Sequence, residues 1–157
     1  KQLHELFREH KIDKRYLALV EGRWPRSCEL VNAPIKKNIS SSGERVSVIS
    51  RFGKPAVTKF RIVRKLEGAT LIEARPITGR THQIRVHARH VGHSIVGDQK
   101  YSQTRFSQNG SAVSKSRLFL HAHRIRFSMS DERLFDFSSD LDDQLEKLLS
   151  NYEYKGG

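Results

Sequence analysis

The sequence predicts an α+β protein with a mixed, largely antiparallel sheet and flanking helices. Short runs in which apolar and polar residues alternate are separated by Gly, Pro or Ser, which is typical of strands joined by turns. Helical spacing of apolar residues is confined to the two ends and one central segment. The 157 residues allow one hydrophobic core, so we expect residues 1–157 to form a single domain.

The N-terminal half is expected to hold one helix and three strands. Apolar residues at helical spacing predict a helix over residues 1–10, and the apolar run 15–21, closed by a glycine, predicts a buried strand. Residues 40–43, Ser-Ser-Ser-Gly, predict a loop. Residues 58–66 and 69–74 flank a Glu-Gly pair, which favours a β-hairpin with one face in solvent.

The C-terminal half is expected to alternate between helix and strand. A Pro-Ile-Thr-Gly break precedes residues 80–91, which lack Pro and Gly and predict a helix beginning near Thr81. Residues 105–116 are rich in Ser and Gln and predict a mobile loop. The alternation over 118–127 predicts a strand, and the leucines of 140–152 predict a closing amphipathic helix.

The charge of the chain indicates an anionic partner. There are 29 Lys and Arg against 17 Asp and Glu, a formal charge of +12. Residues 80–126 contain nine Lys and Arg but a single acidic residue, Asp98. Such a field attracts polyphosphates, so nucleic acid is the favoured partner. A solvated basic surface with no partner is the alternative that charge alone leaves open.

Other features exclude whole classes of protein. No apolar run approaches the ~20 residues of a membrane helix, so we expect no membrane role. The single cysteine, Cys28, cannot form an internal disulfide and fits a reducing, cytoplasmic location. The eight histidines lack the carboxylate or second cysteine that would complete a metal site, so we expect none. The N-terminus has neither a signal core nor an initiator Met, and we interpret the chain as a fragment of a longer protein.

Three motifs identify a family. Residues 78–87 are Thr-Gly-Arg-Thr-His-Gln-Ile-Arg-Val-His, residues 14–20 are Lys-Arg-Tyr-Leu-Ala-Leu-Val, and residues 117–122 are Arg-Leu-Phe-Leu-His-Ala. In this order they resemble the RluA/RluC/RluD branch of the pseudouridine synthases, which convert uridine in structured RNA to pseudouridine. The segments 37–39 and 42–45, Lys-Asn-Ile and Ser-Gly-Glu-Arg, are most similar to the RluC group, which modifies large-subunit (23S-type) ribosomal RNA.

The resemblance implies that the chain is the C-terminal portion of a pseudouridine synthase catalytic domain. The family's nucleophilic aspartate lies in an Arg-Leu-Asp segment upstream of the tyrosine motif, and this chain contains no such segment. We therefore expect the chain to be inactive alone and the intact protein to be catalytic. The isomerisation involves no redox change, so no cofactor is expected. Ribosomal RNA is the expected partner, with the intact protein acting as a monomer.

The resemblance also assigns site residues. Arg85 is expected to pair with the upstream aspartate, and a bidentate guanidinium suits that role better than an ammonium group. Tyr16 is expected to stack on the flipped uracil and to assist removal of the C5 proton. The residues expected to bind RNA are Arg80, His82, Gln83, Arg89, Lys115 and Arg117.

Simpler interpretations remain open for the same residues. Arg85 could be a surface arginine, and Tyr16 could be a core tyrosine. A non-catalytic RNA-binding module, or a ribosome-assembly protein on the same scaffold, would carry the same basic charge. All three functions predict RNA affinity that falls with salt, so charge does not separate them.

Overall fold

A computed structural model describes residues 2–8, 11–102 and 116–154, and it centres on a six-stranded sheet with strand order β2-β5-β6-β1-β7-β8. Strands β3 and β4 form a separate two-stranded sheet, and all pairings among these strands are antiparallel. The elements are α1 (Gln2–Arg8), β1 (Asp13–Glu21), β2 (Leu30–Asn32), β3 (Ile35–Ile39), β4 (Arg45–Ile49), β5 (Val57–Lys65), β6 (Ala69–Pro76), α2 (Gln83–Val91), β7 (Leu120–Ser128), β8 (Leu134–Ser138) and α3 (Asp143–Ser150).

These elements confirm the α+β class and most of the predicted segments. The predicted hairpin is β5–β6, and the predicted central and closing helices are α2 and α3. The sequence did not reveal β2, β8 or the β3–β4 hairpin, whose turn is the Ser-Ser-Ser-Gly loop. Most of the predicted loop at 105–116 lies outside the described residues. None of the helices in the described segments is long and apolar enough to cross a membrane.

The centre of the sheet is more buried than the hairpin pattern predicts. Along β5, Thr58 and Phe60 are buried whereas Lys59 and Arg61 are exposed, as expected for a strand with one wet face. The first six residues of β6 are all buried, so the expectation of a wet face is wrong for this strand. The reason is its central place, because β1 and β5 flank it and their side chains shield its own.

A chain of buried hydrogen bonds fixes α2 to the sheet. Gln83 Nε2 donates to Thr58 Oγ1 (3.0 Å), which lies 2.8 Å from His87 Nδ1, and His87 Nε2 lies 2.9 Å from the carbonyl oxygen of Ala33. A carbonyl only accepts, so Nε2 carries the proton and Nδ1 accepts from the Thr58 hydroxyl. Burial lowers the pKa of His87, which keeps the ring neutral in this network.

We expect the neutral His87 to make the fold sensitive to acid. In the unfolded chain the imidazole titrates near its ordinary value of ~6.5, whereas its pKa in the folded protein is lower. Its contribution to stability is therefore complete above about pH 6.5 and is lost as the pH falls toward the folded pKa. We expect the free energy of unfolding, measured with urea, to fall between about pH 7.5 and about pH 5.5. The fall should be larger for the wild type than for His87→Gln. An equal loss in both proteins would contradict this origin of the pH dependence.

Candidate active-site cleft

The three sequence motifs meet at one cleft of about 380 Å³, which we call the Tyr16 cleft. Its volume lies at the lower end of the ~300–1,000 Å³ typical of small-molecule sites. Strand β1, the turn before α2, the first turns of α2 and the segment entering β7 all contribute to its walls. The residues that line it are Lys14, Tyr16, Pro76, Thr78, Gly79, Arg80, His82, Gln83, Ile84, Arg85, Leu118 and Leu120.

Arg85 forms a buried, two-pronged ion pair with Asp98 inside this cleft wall. Its Nε donates to Oδ2 at 2.9 Å and its Nη2 donates to Oδ1 at 2.7 Å. The Asp98 side chain is 1% exposed and that of Arg85 is 17% exposed. The carboxylate also accepts hydrogen bonds from the backbone N–H groups of Lys100 and Tyr101. The Tyr101 ring lies against the guanidinium, 4.9 Å from its carbon.

The pair is ionised on both sides. Burial alone would raise the pKa of Asp98, but hydrogen bonds from Arg85 and the Tyr101 N–H outweigh it and hold that pKa below its ordinary value. The hydrogen bond to Asp98 raises the pKa of Arg85 despite its burial. The family resemblance implies that Arg85 pairs with the aspartate of an Arg-Leu-Asp segment, whereas the structure pairs it with Asp98. One signal for this partner is in the sequence: Asp98 is the only acidic residue in 80–126.

Gln83 holds the turn that precedes α2. Its Oε1 accepts from Thr78 Oγ1 at 2.7 Å and from the Arg80 N–H at 3.0 Å. Its Nε2 donates to Thr58 Oγ1 and to the carbonyl oxygen of Val57. Both lone pairs and both N–H groups of the amide are therefore used inside the protein. In this conformation Gln83 shapes the cleft wall and has no group left for the RNA contact that the sequence predicts.

His82 and Arg80 lie partly exposed at the cleft. His82 caps the start of α2 with φ 54°, a left-handed conformation that costs a non-glycine residue ~1–3 kcal/mol. Its Nδ1 lies 2.8 Å from the Tyr101 hydroxyl, and burial, with Arg85 and Lys100 nearby, lowers the pKa of the ring. Arg80 donates through Nε to the carbonyl oxygen of Pro55 at 2.9 Å. Both side chains can therefore meet a ligand from fixed positions.

Tyr16 lies half-buried between the core and the cleft. Its position on β1 is opposite Ala74 of β6 and Ala122 of β7, two small side chains that leave room around the ring. The ring packs against the hydrophobic core and lines the Tyr16 cleft. Within the described residues, no hydrogen bond fixes its hydroxyl. The ring is therefore fixed by packing, and its hydroxyl can contact a ligand in the cleft.

Two of the remaining predicted RNA contacts, Arg89 and Arg117, are not among the residues that line this cleft. Arg89 is exposed in the last turn of α2, and it is not among the residues that line the cleft. Arg117 pairs with Asp142, the residue that caps α3. Lys115 lies outside the described residues. Lys14, which the sequence did not single out, does line the cleft.

A larger groove of about 550 Å³ has no equivalent arrangement. It shares no lining residue with the Tyr16 cleft, and its buried carboxylate, Glu73, is already neutralised. Glu73 lies 3.0 Å from His123 Nε2, 3.3 Å from Arg61 Nη2 and 3.6 Å from Arg15 Nη1. Volume therefore does not identify the reactive site here. Among the described residues, no three of His, Cys, Asp and Glu converge to hold a metal ion.

The chain is similar in sequence to one family of known proteins. The family described as RNA pseudouridylate synthase matches residues 1–90. The chain is 46% identical over 151 residues to ribosomal large subunit pseudouridine synthase C of Pasteurella multocida, covering 95% of the chain and 46% of that protein. It is 50% identical over 127 residues to the protein of the same name from Yersinia pestis, covering 81% of the chain and 40% of that protein. The chain spans about half the length of these curated relatives.

A solved structure shares the fold. Human RNA pseudouridylate synthase domain containing 4 superposes with a TM-score of 0.74 at 28% identity, over 95% of this chain and 65% of that one. Human RNA pseudouridylate synthase domain containing 1 gives the same TM-score at 24% identity, over 96% of this chain and 69% of that one, and supports the fold alone.

Two glycines of equal conformation test how tightly the Asp98 turn is built. Gly97 and Gly43 both have φ +80°, so alanine at either position should cost ~1–2 kcal/mol in backbone strain. A Cβ at Gly97 would also overlap the backbone of Arg117, whereas a Cβ at Gly43 would meet open space. We expect Gly97→Ala to lower the free energy of unfolding by at least ~2 kcal/mol more than Gly43→Ala, measured by urea unfolding. Equal losses of unfolding free energy in the two variants would show that the backbone around Gly97 shifts to accommodate a Cβ at little cost.

Proposed function

The chain belongs to the RNA pseudouridylate synthase family, and on that basis we propose that the protein converts specific uridines of large-subunit ribosomal RNA to pseudouridine. The observation that carries the proposal is the convergence of Tyr16 and Arg85 on one cleft of about 380 Å³. The curated relatives that carry ribosomal large subunit in their names support the choice of RNA. The expected setting is the cytoplasm, with the protein acting as a monomer and without a cofactor.

The reaction explains the shape of the cleft. A stacked uridine must leave its helix, at a cost of a few kcal/mol, before the bond from C1′ to N1 can break. The detached uracil then turns and joins C1′ through C5. Tyr16 supplies a ring on which the base can stack, and Leu118 and Leu120 supply apolar walls. These walls hold the base without hydrogen bonds that would resist its rotation.

Arg85 supplies a fixed positive charge for the nucleophile. The family resemblance implies an aspartate from an Arg-Leu-Asp segment, which a guanidinium would keep ionised and oriented. Asp98 does not suit that role, because its carboxylate is 1% exposed and accepts four hydrogen bonds. The nucleophile must therefore be a second carboxylate that approaches Arg85 from the cleft.

Cations around the cleft supply affinity for the RNA backbone. Lys14 and Arg80 line the cleft, beside the Tyr16 ring. Arg89 and Arg117 extend the proposed RNA contacts beyond it, and Lys115 stays a contact proposed from the sequence alone. Contacts of this kind release counterions, so binding weakens as salt rises.

Substitution of Arg85 should separate catalysis from stability. Arg85→Ala leaves the Asp98 carboxylate buried without its cation, so we expect a loss of ~3–5 kcal/mol in unfolding free energy. Arg85→Lys keeps one charge but loses the fork, and we expect ~100-fold slower pseudouridine formation with most of the stability retained. The readouts are pseudouridine formed in ribosomal RNA by the full-length protein and thermal unfolding.

The matched control for Arg85→Lys is Arg133→Lys. Arg133 forms an exposed ion pair with Asp131 and is not among the residues that line the Tyr16 cleft. This control should keep wild-type turnover. Wild-type turnover by Arg85→Lys as well would remove Arg85 from the proposed mechanism.

Tyr16 allows the ring and the hydroxyl to be tested separately. Tyr16→Phe keeps the stacking surface, so RNA binding should stay within about 3-fold of wild type, while release of tritium from C5 should slow by ~100-fold. Tyr16→Leu should weaken both. Unchanged release by the Phe variant would remove the hydroxyl from proton transfer, and unchanged binding and release by the Leu variant would remove the ring from the site.

A further inference from the structure

We propose that Asp98 is a positioning residue, which fixes the rotation of the Arg85 guanidinium so that one defined edge faces the Tyr16 cleft. The inference rests on the proposed function. A guanidinium offers two edges to carboxylates, one formed by Nε and one Nη, the other by the two Nη atoms. Asp98 takes the edge formed by Nε and Nη2. Among the described residues, none pairs with the edge formed by Nη1 and Nη2, and this edge is the one that we assign to the nucleophilic carboxylate.

The Asp98 carboxylate is itself held in place without help from Arg85. Its Oδ1 accepts from the Lys100 N–H at 3.1 Å and from the Tyr101 N–H at 3.0 Å. The turn that carries it has Gly97 at φ +80°, packed against the backbone of Arg117. Asp98 N–H also donates to the carbonyl oxygen of Ile95 at 3.1 Å. A carboxylate fixed in this way can set the direction of its partner.

Tyr101 closes the other side of the guanidinium. Its ring lies over Arg85, 4.9 Å from the guanidinium carbon, and the ring is 3% exposed. Its hydroxyl oxygen accepts from the Ser47 N–H at 2.9 Å and lies 2.8 Å from His82 Nδ1. The ring therefore cannot swing away without breaking contacts to both β4 and the start of α2. The guanidinium is held at its edge by Asp98 and at its face by Tyr101.

Stability alone does not account for this arrangement. A buried ion pair gains little over well-packed apolar side chains, because both charges must be desolvated. What the pair adds is direction, since a free arginine beside a cleft could turn toward any RNA phosphate. The chain offers an internal comparison in Arg124 and Asp136, which use the same nitrogens at 2.8 and 2.6 Å. That pair is exposed and forms no part of the Tyr16 cleft.

The test compares Asp98→Asn with Asp136→Asn in the full-length protein. Both remove one negative charge and one bidentate partner of an arginine. We expect Asp98→Asn to lower kcat by ~100-fold with KM for ribosomal RNA changed by less than about 3-fold, because RNA contacts are untouched while the nucleophile is misaligned. Asp136→Asn should leave both constants unchanged. Wild-type kcat for a folded Asp98→Asn protein would overturn the inference.

A second pair of measurements separates positioning from a structural role. In an Arg85→Lys background, where no bidentate partner exists, Asp98→Asn should change kcat by less than about 3-fold. Equal losses in both backgrounds would overturn the inference, because a structural defect would be additive. If Asp98→Asn does not fold, Asp98→Glu decides, since it keeps the charge but shifts the carboxylate by one methylene. It should lower kcat by about 10-fold at unchanged KM, and wild-type kcat would again overturn the inference.

The activity of the wild-type protein distinguishes failure of this inference from failure of the proposed function. If the wild-type protein formed no pseudouridine in ribosomal RNA, the proposed function would fail and the role of Asp98 with it. If the wild type were active and the Asp98 variants equally fast, only the positioning role would fail.

Discussion

The site depends on one ion pair, between Arg85 of α2 and Asp98 of the turn that follows it. The Asp98 carboxylate is almost completely withdrawn from water, and its charge is tolerated because the guanidinium of Arg85 lies against it. Contacts around this ion pair also fix neighbouring elements relative to one another. Tyr101 packs on the guanidinium and bonds to Ser47 in β4, so the two-stranded sheet and the helix share one anchor. The electrostatic demand of a single arginine thus joins parts of the chain that are far apart in sequence.

The polar network under α2 complements that ion pair by using neutral groups. Gln83, Thr58 and His87 are linked by hydrogen bonds. The helix is therefore held on the sheet by directional hydrogen bonds as well as by apolar contacts. The same amide of Gln83 closes the turn at Thr78 and Arg80, which shapes the mouth of the cleft. Gln83 therefore both holds the helix on the sheet and lines the cleft. Polar residues of a sequence motif can thus form hydrogen bonds within the protein that hold its elements in place, so not every one of them has to contact a ligand.

The distribution of charge follows a similar division. Nine basic residues within 80–126 create the field that suits an RNA partner, and the one acidic residue there, Asp98, pairs with Arg85 in the wall of the Tyr16 cleft. Elsewhere, Arg117 and Arg124 are paired with Asp142 and Asp136 at the surface, where water and salt screen the interaction. The surface cations therefore supply the long-range attraction for RNA in the proposed function. In the proposed function, Arg85 acts instead at short range, on the nucleophilic carboxylate.

Sequence alone determined the fold class, the central hairpin and the closing helix, because periodicity is a local property of the chain. The family resemblance assigned Tyr16 and Arg85 to one site, and both side chains line the Tyr16 cleft. The sequence did not reveal β2, β8 or the β3–β4 hairpin, whose short strands carry little periodic signal. It placed Gln83 among the RNA contacts, since a polar residue next to basic ones gives no sign of being buried. Only the tertiary structure decided that Asp98 pairs with Arg85, because whether two opposite charges 13 residues apart share a buried site depends on how the turn after α2 packs back against the helix.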